Sequence, residues 1–257
     1  MRRAYEYVVP LRETAEAARQ TLQPAHVALG GCAHFVVTSC MYPVSGDLFI
    51  TSPDAFNDSV LIHEYAHWLQ YSIGSLGWIL SEHNGCVPTM AYTIGGGLPQ
   101  TREDQLRHLA WMEGFADWFA FILDRKIQVA ANLDGTGGVS GAGETDTCAE
   151  SNVSHPKFTV ADKLERHVAN MLIDLSDPLP LASGTLPTDD TGDRAKNLDW
   201  LIIQIMDTTL GTPTTSAWPT TTDFYWAARS RHFNDITQPE SDLVDIYNLN
   251  KIPTPYA

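Results

Sequence analysis

The sequence predicts an α+β fold: a small β-containing N-terminal lobe and a mainly helical C-terminal lobe, with one cleft between them. Three observations predict it. Short β-rich segments broken by Pro43 and Gly46 crowd the early chain, the apolar spacing switches to a helical period after Ser52, and helical segments dominate thereafter. No internal repeat and no linker divides the 257 residues, so they read as one domain, with residues 1–75 as the first lobe and 76–257 as the second.

In chain order, residues Arg12 to Leu22 read as a short amphipathic helix, followed by β-rich stretches at Ala33 to Thr38 and Asp47 to Thr51. Ser52 and Asp58 are both candidate N-caps for a helix in which Leu61, Ile62, Tyr65, Trp68 and Leu69 recur at helical spacing through Tyr71. Ser72 to Gln100, with three consecutive glycines before Pro99, reads as a long loop or a partly helical excursion. Thr101 and Asp104 open a helix to about Lys126 whose middle is almost wholly apolar and therefore buried. Ala130 to Ser154 reads as an irregular exposed segment, and further helices are expected at Val160 to Leu175, Ala195 to Leu210 and Thr222 to Phe233.

Composition narrows the function. Acidic residues outnumber basic ones 31 to 16, a net charge of -15, so the clustered cations that a phosphate backbone requires are missing and nucleic acid is excluded as a partner. The surplus acid reads as a solvated surface that keeps a monomer soluble. No run approaches the length needed to span a bilayer, and the basic start lacks the apolar stretch of an intact secretory signal. Cys32, Cys40, Cys86 and Cys148 show no CxxC pair, which suits two disulfides, Cys32 with Cys40 and Cys86 with Cys148, in an extracellular or cell-surface protein. Four buried free thiols are the alternative.

The chemistry sits in LIHEYAHWLQ. His63, Glu64 and His67 form an HExxH pattern on the expected helix, where residues four apart face one way and can bind one metal ion. Glu64 lies about 100° around the helix from His63, within reach of a water activated by that metal. Random placement gives this pattern in about one such chain in a hundred. A catalytic zinc site needs a third protein ligand. In WMEGFADWFAFIL, Glu113 and Asp117 are the only ionisable residues, and two carboxylates on a buried apolar helix demand partners. Glu113 can bind the metal while Asp117 accepts a hydrogen bond from one of the imidazoles; the alternative is neutralisation by Arg107, Arg125 or a helix end. Gly114, costly inside a helix, points to close helix packing. His83 is a weaker candidate ligand, His26, His34, His108, His155 and His167 are unassigned, and Trp68, Trp78, Trp111, Trp118 and Trp226 read as packing. Two histidines and a carboxylate also serve iron oxygenases; an HExxH helix with Glu at the base position favours zinc and hydrolysis.

HEYAH followed by EGFAD resembles the gluzincin class of zinc metallopeptidases, the thermolysin-like group with HExxH on one helix and ExxxD on a second. The resemblance covers about 20 residues. It implies a zincin-like fold, His63, His67 and Glu113 as zinc ligands, Glu64 as general base and Asp117 as the partner of a ligating imidazole. It further implies that Gly46 to Thr51 is the edge strand along which an extended peptide binds. The gap between His67 and Glu113 exceeds that of thermolysin, implying an inserted loop. An oxyanion-stabilising His, Tyr or Arg would come from Tyr225, Arg229, Arg231 or His232. Metzincins fit worse, since Gln70 and Ile73 stand where they carry Gly and His. The expected activity is zinc-dependent endopeptidase action on a peptide or protein substrate. A silent zincin-like binding module, against which intact Glu64 argues, and a hydrolase of non-peptide amides are the alternatives.

Overall fold

The computed structural model describes residues 1–13, 22, 24–31, 39–42, 45–73, 79–81, 91–93, 102–131, 161–163, 165–176, 195, 197–210, 218–235 and 239–256. Helix α1 (Arg2–Glu13) opens the chain, ahead of the helix expected at Arg12 to Leu22, most of which lies outside the described residues. Pro10 and the β-branched pair Val8 and Val9 disguise it, yet Ala4 and Val8 are fully buried on one face, four residues apart.

Strands β1 (Val27–Leu29), β2 (Cys40–Tyr42) and β3 (Asp47–Ile50) form a sheet of order β1-β3-β2, with β1 parallel and β2 antiparallel to β3. The expected strand at Asp47 is therefore present, but it is the central strand. This corrects the assignment of Gly46 to Thr51 as an edge: Leu48 donates its N–H to His26 on the β1 side, so no row of β3 backbone groups is left to receive a peptide. Cys40 is disulfide-bonded; the other three cysteines and the segment 32–38 lie outside the described residues.

A network at the end of β3 sets the start of the next helix. Ser39 and Thr51 hydroxyls donate to Asp54 at 2.7 and 2.6 Å, and these bonds, Thr51 first, hold the Asp54 carboxyl below its ordinary pKa. After a single 3-10 turn at Asp54–Phe56 comes α2 (Asp58–Ile73). Its cap is neither Ser52 nor Asp58 but Asn57, whose side-chain oxygen accepts from the Val60 N–H at 3.5 Å. Gly46, at φ 71°, turns the β2-β3 hairpin tightly against this helix: a Cβ there would lie 2.9 Å from the Tyr71 ring.

The stretch read as loop or helical excursion contains an antiparallel strand pair, β4 (Ile79–Ser81) and β5 (Ala91–Thr93). Helix α3 (Arg102–Ala131) is the central element; Trp111, Phe115, Trp118, Phe119 and Ile122 are completely or almost completely buried on it. It packs against α1, α2 and α4 (Glu165–Ser176), which follows a 3-10 turn at Ala161–Lys163. Gly114 lies at the α3–α4 crossing as expected, where a Cβ would come within 2.7 Å of Val168 Cβ and 2.8 Å of the Glu165 carbonyl.

Helix α5 (Asp199–Ile205) continues as a π-helical turn over Met206–Leu210, which aims Asp207 at Arg12 in a buried two-pronged pair, both contacts 3.0 Å. Tyr7 hydrogen-bonds to Asp199, so α1 is tied to α5 twice. Helix α6 (Thr221–Arg231) starts on a Thr220 and Asp223 capping box, and an unexpected last helix, α7 (Glu240–Leu249), packs on α4 and α6. Among the described residues no helix is long and apolar enough to cross a membrane.

Candidate metal centre

Helices α2 and α3 run antiparallel at the site: His63 faces Asp117, His67 faces Glu113 and Gln70 faces Met112. The four-residue spacing on each helix is what stacks these pairs in order. His67 Nε2 lies 3.1 Å from both His63 Nε2 and Glu113 Oε2, and His63 Nε2 lies 3.3 Å from Glu113 Oε2. Ligands of a tetrahedral zinc with bonds near 2.0–2.1 Å are about 3.3–3.4 Å apart, within a few tenths of all three separations.

The outer hydrogen bonds decide what these three atoms are. His63 Nδ1 lies 3.1 Å from Asp117 Oδ1, which can only accept, so that nitrogen carries a proton. His67 Nδ1 lies 3.1 Å from Gln70 Oε1, and the Gln70 amide is oriented by donating to the Met112 carbonyl at 3.1 Å; His67 Nδ1 is therefore also a donor. Each neutral imidazole then presents a lone pair at Nε2. Two lone pairs and a carboxylate oxygen converge in a buried place, an arrangement that repels itself unless positive charge lies between them. A proton on His63 is one answer. Burial works to lower its pKa, but the hydrogen bonds to Asp117 and Glu113 outweigh burial and hold it well above the ordinary value. A divalent metal is the fuller answer, since it engages all three atoms, and the donor set of two imidazoles and a carboxylate suits zinc.

Glu64 is buried beside the two imidazoles. Burial pushes its carboxyl up, opposed by the charges of His63 and His67, and it accepts a hydrogen bond from the Met41 backbone N–H on β2. Arg107, a sequence candidate for neutralising the carboxylates, is engaged elsewhere, with Asp162 at 2.6 Å and with Glu103 and Asp104. The Arg125 side chain and His83 lie outside what is described.

The expected oxyanion candidates each have partners of their own. Tyr225 donates to Glu240 and Arg229 pairs with it, both at 2.8 Å; Arg231 bonds to the Thr208 and Thr209 hydroxyls; His232 stacks edge-on against Trp200. His108 and His167 hydrogen-bond to the carbonyls of Pro219 and Asn250 and hold helices together, while His26 pairs with Asp47 at the surface. Trp68, Trp111 and Trp118 are core residues as read, whereas Trp226 is exposed under Arg229. The residue that the sequence reading missed is Gln70. Nothing in the sequence marked it beyond an amide three positions after the second His of the motif.

Two antiparallel helices thus bring two imidazoles and a carboxylate together, with an acceptor behind each imidazole, as a group that could hold a metal ion. Residues 37–186 match the mycolysin C-terminal domain family, and the chain belongs to that family. The matched stretch is more than half of the chain and contains His63, Glu64, His67, Glu113 and Asp117, relating the protein to the metallopeptidases. No curated protein and no solved structure matches it.

Proposed function

We propose that the protein is a secreted, zinc-dependent endopeptidase of zincin-like, two-lobed architecture, with His63, His67 and Glu113 as ligands. The observation that carries this reading is the convergence of three electron-pair donors whose imidazoles are both locked, by Asp117 and Gln70, in the tautomer that ligation requires. Zinc held there supplies a Lewis acid that polarises a peptide carbonyl and acidifies water toward neutrality. Glu64, fixed by the Met41 N–H and next to both ligating histidines, takes the proton of the attacking water and returns it to the leaving amine.

Peptide binding shifts from β3 to the outer edge of β2. Leu48 and Met41 are register partners, and Leu48 turns its N–H toward β1, so Met41 turns its own away from β3 toward Glu64. An extended peptide lying along that edge would pass the base and compete with Glu64 for the Met41 N–H; a peptide or protein is the substrate class of this reading.

The test is digestion of a diverse peptide mixture by the protein and by Glu64→Gln, read by mass spectrometry, with zinc quantified in both. Cutting by the native protein, and a loss of about 10²–10⁴-fold in a variant that keeps its zinc, is the expected result. Zinc in both with no cutting by either would favour a silent module or a non-peptide hydrolase, and absence of zinc from both would remove the metal reading.

A further inference from the structure

We infer that Gln70 is a positioning residue that sets how tightly the metal is held, by fixing His67 from behind; this rests on the metal reading above. Gln70 is fully buried on α2, one turn beyond His67. Its two polar atoms do different things. Oε1 accepts from His67 Nδ1, and Nε2 donates to the carbonyl of Met112, the residue immediately before Glu113 on α3. One side chain thus fixes the tautomer and rotation of one ligand and clasps the backbone that carries another.

The two imidazoles are backed unequally. His63 has a carboxylate, Asp117, partly open to solvent, while His67 has a neutral amide in a dry place. A carboxylate behind each imidazole, together with Glu113, would put three negative groups around one cation. An amide orients His67 without a further charge, and it cannot be protonated away on mild acidification. Methionine matches glutamine in length and volume but offers no acceptor to Nδ1, leaving a buried N–H unpaired and the tautomer unspecified. Glutamate keeps the acceptor, loses the donor to Met112 and adds a negative charge that attracts the cation.

The experiment compares the zinc dissociation constants of the native protein, Gln70→Met and Gln70→Glu, by competition against a chromophoric chelator, with the thermal midpoint of each metal-free form as a folding control. Gln70→Met should bind zinc about 10–100-fold more weakly, while Gln70→Glu stays within a few-fold of native. A residue that only fills space would shift the midpoints and leave the affinities alike. Equal affinities in native and Gln70→Met, or equal weakness in Gln70→Met and Gln70→Glu, would overturn the inference. If Gln70→Met does not fold, Gln70→Ala replaces it in the same comparison. Failure of the native protein itself to bind zinc would instead overturn the reading of the site.

Discussion

Replacing Gly114 with alanine tests the packing that places Glu113. The added Cβ would sit 2.7 Å from Val168 Cβ and 2.8 Å from the Glu165 carbonyl oxygen, where ordinary contact begins at 3.4 Å. Neither obstacle is the end of a flexible side chain, so α4 must retreat from α3 by about 0.7 Å, the difference between 3.4 and 2.7 Å. Overpacking of this kind costs about 1–3 kcal/mol, and the better helix propensity of alanine returns about 1 kcal/mol. The net expectation is a loss of up to about 2 kcal/mol, read from urea unfolding of the metal-free protein. Zinc affinity should fall as well, because Glu113 precedes the wedge by one residue. Val168→Ala removes Cγ1 but leaves the Cβ and the Glu165 carbonyl in place, so the double variant should recover little of the loss. An alanine variant more stable than native, as propensity alone would give, would refute the reasoning.

Two other predictions concern charge. The folded pKa of His63 is raised above its ordinary 6.5, so in metal-free protein its contribution to stability is complete below pH 6.5 and lost as pH rises through the raised value. The thermal midpoint of chelator-treated protein should therefore fall across that rise, while excess zinc, which needs deprotonated ligands, should stabilise more as pH increases. Removing one partner of the buried Arg12 and Asp207 pair leaves an uncompensated charge: Arg12→Ala should cost about 3–5 kcal/mol in chemical unfolding, and replacing both residues with apolar ones of similar volume should cost much less.

The centre was legible because its chemistry is local in sequence. HExxH needs only that one helix form, and Glu113 and Asp117 stood out as charges in an apolar run, so His63, His67 and Glu113 are together where the spacing put them. Gln70 was not legible, because an amide becomes significant only when one knows that Met112 lies across from it. Strand order was hidden for a similar reason. Nothing in Gly46 to Thr51 tells whether one neighbour or two will pair with it, and the short β1, with exposed Val27 and Leu29, lacks the alternation of a half-buried strand. Helix α1 was obscured by Pro10, and α7 by its shortness, although Leu243, Ile246 and Tyr247 keep helical spacing.

The double tie between α1 and α5 also governs when the fold can close during synthesis. Tyr7 and Asp199 are 192 positions apart, and Arg12 and Asp207 are 195 apart. At ribosomal rates of about 5–20 residues per second, the first helix emerges roughly 10–40 s before its partners exist. For that interval Arg12 has no Asp207 to bury against, and of the two helices α1 packs on, only α3 has been made. Its fastening to α5 is thus a late event, and a nascent chain halted before residue 199 carries both metal-facing helices but lacks the bolt that locks α1 in place.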